Sequence, residues 1–428
     1  MRIVPVRALI GGGILCAAAW AQTRTTITLA QAQNIALRNH PRIMSADLLA
    51  DASSFAIREA HAADFPTFST NLSAIGSEAD STLAAGAVTT SSIYSRVSTD
   101  VVATQLLTDF GRTANLVQSA RLHNESDNQN AANIRAQVLL EVQEAYYQAL
   151  ASESVLKVAQ ATVDLRNLTL RQIRALARSS LRSTVDVSFA AVNVSQAELD
   201  LLHAENDAKA SHARLSAALG YGNDDSFSLA DEPLPPALEP DIDELIGEAM
   251  RERPDLAALR SNRDSLERYA EAEKRLSYPT ITAAAAAGIS PVRAEGIQET
   301  YGGAGVIVNI PVLNGGLFKA RHEEAESRAR AAAKDVQDLS VEIARDVRIA
   351  WLDANDAFRR LDVTAQMVAE ANEALRLAQA RYDNALGSIV ELNQAQLNQA
   401  AAEIAAASAK YDYLGRRAAL NYAMGILR

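Results

Sequence analysis

Few residues in this 428-residue sequence combine the type and the spacing needed for chemistry. The six histidines (His40, His61, His123, His203, His212 and His322) are scattered, with neither a His-Glu-x-x-His pattern nor any paired ligand spacing. There is no Gly-x-Ser-x-Gly elbow and no phosphate-binding glycine loop. His322-Glu323-Glu324 lies in a long helical pattern and reads as solvated surface rather than as a metal site. No enzyme, no metal and no cofactor is expected. What remains is charge placed near turns. Gly387 to Gln396 is a break followed by a buried-looking acid, Glu391, with Gln394 three residues on, and Asp186 has the comparable place earlier in the chain. Arg171, Arg174, Arg178 and Arg182 recur at spacings of three or four, which puts them along one helical face. Fixed charge of this kind attracts ions and docks partners.

The elements carrying these charges are long. Roughly 65 residues from Leu317 read as nearly unbroken helix before Gly387 and roughly 35 after it, with no proline in either arm. At 1.5 Å per residue the longer arm reaches about 100 Å. No compact domain holds such a helix, so the pattern predicts a coiled-coil hairpin that turns at Gly387, with Glu391 just inside the turn. Val142, Ala145, Ala149, Ser152, Leu156, Ala159 and Val163 alternate spacings of 3 and 4, as do Leu397, Ala400, Ile404, Ala407, Tyr411 and Leu414. These read as heptad seams. Their alanines, in a chain 48% hydrophobic but only 5% aromatic, predict close helix approach.

The first residues give the compartment. A basic start through Arg7, an apolar run from Ala8 to Ala18 and Ala19-Trp20-Ala21 read as a secretory signal, residues 1–21, with the mature chain starting at Gln22. Cys16, the only cysteine, lies in the apolar run behind Ile14 and Leu15, which are not the small residues of a lipidation signal. Loss of Arg2 and Arg7 takes the net charge from -11 to -13, a poor balance for nucleic acid. Beyond the signal no apolar run of 18 residues occurs, which leaves a periplasmic chain, an extracellular chain or an outer-membrane β-barrel.

The chain also repeats itself. Thr28-Leu29-Ala30-Gln31 opens a helix that stops before Pro41, and a second helix leads to Pro66; Pro254 and Pro279 close the same pattern 213 residues later. The offset then becomes 205 and holds: Gly111 with Gly316, Ala145 with Ala350, Asp186 with Glu391, Leu215 with Leu420, Gly220 with Gly425. This is a tandem duplication whose first copy carries eight extra residues between Pro66 and Asp109. There the helical pattern fails in both copies. Pro66 to Ile75 with Ser98 to Leu107, and Thr280 to Ile289 with Ala304 to Val312, read as strand hairpins of transmembrane type. The organisation expected is a first repeat, 22–220 (strand hairpin about 66–108, helices about 112–220), and a second, 241–428 (hairpin about 280–313, helices about 317–425). Residues 221–240, with four of the eleven prolines, read as a linker or a strap on the outside of the bundle. Phe65, Phe68, Tyr94, Phe110, Tyr278, Tyr301 and Phe318 fall at predicted strand or loop ends, where a membrane-interface girdle competes with ordinary packing.

The duplicated helix-Pro-helix-Pro opening, the hairpins, the turns Thr108-Asp109-Phe110-Gly111-Arg112 and Pro311-Val312-Leu313-Asn314-Gly315-Gly316, the Ala145-Tyr146-Tyr147 and Ala350-Trp351-Leu352 positions and the tip Gly387 to Gln396 carry a resemblance. Over essentially its full mature length the chain resembles the TolC family of outer-membrane efflux and secretion channels. The resemblance implies a mainly α fold with a membrane β-barrel part. It also implies a homotrimer, each copy giving four strands to a 12-stranded barrel and four helices to a 12-helix periplasmic tunnel. Its implied partners are outer-membrane lipid, a periplasmic adaptor (membrane fusion protein) and an inner-membrane pump. By threefold symmetry Glu391 and its mate Asp186 would line the pore as carboxylate rings; Gln394 stands where some relatives carry a second acid. Gly387, Arg178 and Arg182 would belong to the docking tips, and Arg381 and Tyr382 would tie neighbouring hairpins together.

Bland readings stand beside these: Glu391 as a solvated flank, Asp186 as an acid capping a helix start, the arginines as a solvated face. The function expected is a passive exit duct of a tripartite efflux pump exporting small molecules. The alternatives are the exit duct of a type I protein secretion system and, from another class, a periplasmic coiled-coil adaptor or structural protein.

Overall fold

The computed structural model describes residues 26–76, 82–85, 88–92, 95–222, 227–238, 241–293 and 298–427. The expected signal segment and Tyr94 lie outside them. In chain order the elements are β1 (Thr26–Ile27), α1 (Leu29–Asn39), α2 (Pro41–Ala62), β2 (Thr67–Ile75), β3 (Thr82–Ala85), β4 (Val88–Ser92), β5 (Arg96–Thr108), α3 (Arg112–Arg178) and α4 (Thr184–Ala218). There follow β6 (Ser228–Leu229), α5 (Ile242–Glu252), α6 (Pro254–Lys274), β7 (Thr280–Val292), β8 (Thr300–Asn309), α7 (Leu317–Asp383) and α8 (Ile389–Ala423). The duplication is visible in the lengths: α3 and α7 have 67 residues each, α4 and α8 have 35 each, and α1 and α5 have 11 each.

Local chemistry sets these boundaries. The Thr28 hydroxyl accepts from the Gln31 amide while the Gln31 side chain accepts from the Thr28 amide, a reciprocal cap on α1. Pro41 and Pro254 end one helix and begin the next, because each lacks the amide a continuing helix needs and suits a first helical position. Gly111 and Gly316, at φ +91° and +82°, turn the chain from strand into α3 and α7.

The helical hairpins turn differently from expectation. The left-handed residue is Ala385 (φ 59°), mirrored by Ser180 (φ 57°) in the first copy, while Gly387 does not adopt a positive φ. Each long helix closes with a six-to-one hydrogen bond, Leu386 amide to Arg381 carbonyl and Leu181 amide to Leu176 carbonyl. Ser388 and Ser183 then cap α8 and α4. Gly387 is needed for closeness instead. A Cβ there would lie 3.1 Å from a Glu391 carboxylate oxygen and 3.2 Å from the Arg381 Cβ.

Along the bundle the helices run α4-α3-α8-α7 toward the hairpin tips and α2-α3-α6-α7 toward the strands. The first seam is buried as expected, at Val142, Ala149, Ser152, Ala159 and Val163. The second holds only at its end, where Tyr411 and Leu414 are buried; before that Leu392, Ala395, Ala402 and Ala409 are buried instead, whereas Leu397 is 57% exposed. Helix α8 packs between α3 and α7 and so buries two stripes, which one periodic reading cannot separate.

The strap is described over residues 227–238. β6 pairs in parallel with β1, and the Tyr146 hydroxyl lies 2.9 Å and 2.7 Å from the Ile27 and Ala230 carbonyl oxygens. Asp231 holds Lys410 of α8 at 2.7 Å and accepts from the Tyr411 hydroxyl at 3.1 Å. Burial alone raises the Asp231 pKa, but the Lys410 hydrogen bond and charge, helped by Tyr411, outweigh it and hold the carboxyl below its usual value. The sign follows: this stabilisation is present above the unfolded carboxyl pKa, about 3.9, and is lost as pH falls through the lower folded value. Because Asp231 is largely exposed, Asp231→Ala is expected to cost only about 0.5–1 kcal/mol. The cost, read from thermal unfolding in detergent, should be seen at pH 7 and fade toward pH 3.

β2, β5, β7 and β8 form one antiparallel sheet in that order, so each copy of the repeat gives a hairpin and β5 pairs with β7 across the duplication. β3 and β4 pair as a separate hairpin between β2 and β5. β8 stops at Asn309, earlier than expected, because Pro311 has no amide to extend the ladder. The sheet has two unlike faces. Phe68, Leu72, Val101, Ile289, Val306 and Val308 share one and are exposed; Ser69, Asn71, Ser73, Asp100 and Thr104 share the other. An apolar band outside and a polar interior is the pattern of a transmembrane barrel strand. Among the described residues no helix is long and apolar enough to cross a membrane.

Candidate functional site: the hairpin tips

The two tips meet through an apolar cluster of Leu170, Ile173, Ala190, Val194, Ala378, Tyr382, Ile389, Leu392 and Ala395. Charge is arranged on this base. Arg182, where the first copy has its counterpart of Gly387, reaches the second tip: its guanidinium donates to the Tyr382 carbonyl and lies 4.2 Å from the Tyr382 ring centre. Tyr382 is buried, its hydroxyl has no hydrogen-bond partner, and burial followed by the charge of Asp186 pushes its pKa up. Arg182 with Tyr382 therefore joins the hairpins. Arg381, expected to share that task, instead pairs within its own hairpin, Nε to Glu391 Oε1 at 2.9 Å, and donates to the Leu386 carbonyl at 3.1 Å.

Glu391 is not buried. Its side chain is 43% exposed, at the open end of the helix in the first turn of α8. An acid here also meets the positive end of the helix. Asp186 is half-buried in the first turn of α4, the same place in the other copy. Gln394 is exposed and donates to Asn398 at 2.9 Å, so no second acid joins Glu391. Arg171, Arg174 and Arg178 are exposed.

One polar contact escaped sequence reading. Arg166, only 7% exposed, donates to the Gln396 side-chain oxygen, and Gln396 in turn lies 3.4 Å from the Thr169 hydroxyl. Burial lowers the Arg166 pKa. The signal was available: continuing the alternation 159, 163 by three lands on Arg166 and then on buried Leu170 and Ile173. A polar residue at such a seam position fixes helix register.

The expected girdle aromatics divide. Phe68 stands exposed on the apolar face. Tyr301 stands on the polar one, because it faces Gly288 and Asp100 in register and its hydroxyl donates to Asp100 at 3.0 Å. Phe110 packs edge-on against Tyr278 at 6.4 Å where β5 passes into α3, and its carbonyl accepts from Arg275. Phe318 is half-buried in the first turn of α7. At that same junction Glu273, 2% exposed, lies between Arg321 at 3.1 Å and Arg112 at 3.7 Å.

The family model for outer membrane efflux proteins matches residues 19–221 and 245–426, one segment per repeat. The chain belongs to that family. It is 22% identical to the outer membrane protein TolC of Vibrio cholerae over 439 residues, which covers 100% of this chain and 96% of that protein. The fold matches the outer membrane protein VceC of Vibrio cholerae with a TM-score of 0.79 and 19% identity, covering 93% of this chain and 96% of that one. It matches the Campylobacter jejuni CmeC outer membrane channel at 0.78 and 14% identity, covering 98% and 94%. The efflux protein is thus an outer-membrane duct, with the polar-faced sheet as its membrane part and the hairpins as its long extension. An efflux duct guides solutes.

Proposed function

We propose that three copies close into one passive exit duct that carries small molecules out through a tripartite assembly with a periplasmic adaptor and an inner-membrane pump. The observation that carries this is a pair of matched open edges. β2 and β8 each pair on one side only among the described residues, and they run antiparallel to each other, so β8 of one copy can pair with β2 of the next. In lipid an unpaired strand edge costs several kcal/mol per backbone group, which makes closure compulsory. The helices repeat the arrangement: Leu48 and Phe55 of α2, Phe189, Val192 and Leu202 of α4, and Val341, Leu352, Val363 and Leu377 of α7 are large, apolar and exposed on the outer helices of the four. Threefold closure would bury these faces and make 12 strands and 12 helices.

In this trimer the exposed Arg171, Arg174 and Arg178 form the docking surface for the adaptor, and Glu391 and Asp186 stand at the narrow end. Phe68 would belong to the aromatic rim facing lipid. Planar-bilayer recording of the detergent-purified trimer tests the reading: discrete cation-selective steps are expected, and a folded, membrane-inserted preparation without steps would end it. Glu391→Ala is expected to raise conductance or weaken block by divalent cations about twofold, since it removes the Arg381 pairing as well as the charge. A channel unchanged on both counts would remove Glu391 from the gate.

A further inference from the structure

The sheet carries one polar row that crosses all four strands. In register, Asn71 of β2 faces Asp100 of β5, Asp100 faces Gly288 of β7, and Gly288 faces Tyr301 of β8. The side chains meet above it: Asn71 donates to Asp100 Oδ1 at 2.8 Å and the Tyr301 hydroxyl donates to Oδ2 at 3.0 Å. Gly288 makes this possible. A Cβ there would lie 2.6 Å from the end of the Tyr301 ring, so only glycine lets the ring pass over β7 to reach β5. Asp100 is thereby held from both sides, at a fixed height four residues inside the loop end of β5 and on the polar face of the sheet. Each carboxylate oxygen retains acceptor capacity beyond the one donor it receives. The group remains partly exposed to water.

We infer that Asp100, positioned by Asn71 and Tyr301, is a second determinant of ion selectivity, inside the barrel and far from the acids at the hairpin tips. The inference rests on the trimeric duct proposed above: threefold closure turns the row into a belt of three carboxylates around the barrel interior. The wall of the barrel excludes lipid, and a lumen lined by fixed negative charge in low-dielectric surroundings concentrates cations. Arg96 and the Arg293–Glu299 pair, at 3.6 Å, lie nearer the loops and set the charge met just outside the belt. A solute leaving the duct therefore meets charge selection at both ends: first the tip acids, then this belt. The class disfavoured at the belt is the multiply charged anion.

The test is the reversal potential of the full-length trimer in a planar bilayer under a tenfold potassium chloride gradient. Wild type, Asp100→Asn and Glu391→Gln are compared. Across a lumen wider than a Debye length the belt acts partially, so Asp100→Asn is expected to lower the cation-to-anion permeability ratio about twofold at low salt and less at 1 M. Conductance steps should persist, and the effect should add to that of Glu391→Gln because the sites are far apart. Channels of Asp100→Asn with the wild-type ratio would overturn the assignment and leave the row a structural staple. Should Asp100→Asn not assemble, Tyr301→Phe carries the test alone: it removes a donor from the carboxylate and should raise the ratio, and an unchanged ratio overturns the proposal. A wild-type trimer that gives no steps would instead refute the duct itself.

Discussion

Arg182→Ala is expected to raise the open probability of the channel more than any other single change at the tips. The side chain holds the first hairpin to the second through the Tyr382 carbonyl and the Tyr382 ring, two contacts between residues that lie 200 positions apart. A charge-assisted hydrogen bond and a partly desolvated cation–π contact together contribute roughly 2 kcal/mol. Lost from the state in which the tips are joined, that amount shifts the equilibrium toward separated tips about thirtyfold. The apolar cluster beneath remains, so the hairpins should still fold. Arg182→Lys keeps the charge but not the planar stacking and should fall between wild type and alanine. The measurement is single-channel recording at neutral pH. If Arg182→Ala gates like wild type, the contact is a packing detail and the tips are held by something else.

The second large effect concerns assembly of each repeat. Gly425 ends α8 at φ +75°, and a Cβ there would lie 2.8 Å from the Arg253 amide nitrogen and 2.9 Å from its Cα. Gly220 ends α4 in the same way at φ +82°, 3.0 Å from the Asn39 carbonyl oxygen. Both glycines seat a helix end against the corner where a proline joins two short helices, His40-Pro41 in one copy and Arg253-Pro254 in the other. Gly425→Ala combines a left-handed backbone penalty with overpacking against backbone that cannot give way, about 3 kcal/mol in all. The apparent Tm in detergent should fall by roughly 3 °C. Gly415→Ala is the control: it lies within α8 with nothing inside 4 Å and should be neutral or mildly stabilising. Equal Tm values for the two variants would mean that the corner packing contributes little.

The structure also shows how one chain uses two copies of a unit without making them equivalent. Asp186 and Glu391 match in place, yet Glu391 has Arg381 across its turn while the first copy has Leu176 at that position. Conversely Arg182 stands opposite Gly387. Arg381 and Arg182 thus each stand in one tip without a counterpart in the other. One closes a hairpin on itself and the other joins the hairpins, so the two tips have different work in the same scaffold.

Sequence alone determined the duplication, the lengths of the long helices, the paired corners at Pro41 and Pro254, and the hairpin strands, because proline, glycine, capping residues and hydrophobic period act within a few residues. Arg166 was legible in principle, as the next position of a seam already traced. Tertiary structure decided the rest. Whether Tyr301 faces lipid or lumen depends on strand parity, where one residue of register reverses every side chain, and on the vacancy at Gly288 that lets the ring reach Asp100 far along the chain. Which stripe of α8 is buried depends on its having two neighbours. That Glu391 is exposed and paired, and that Arg182 rather than Arg381 reaches Tyr382, depends on how two separately formed hairpins lie against each other. Spacing along a helix says which residues share a face, and only the packing of helices says what that face meets.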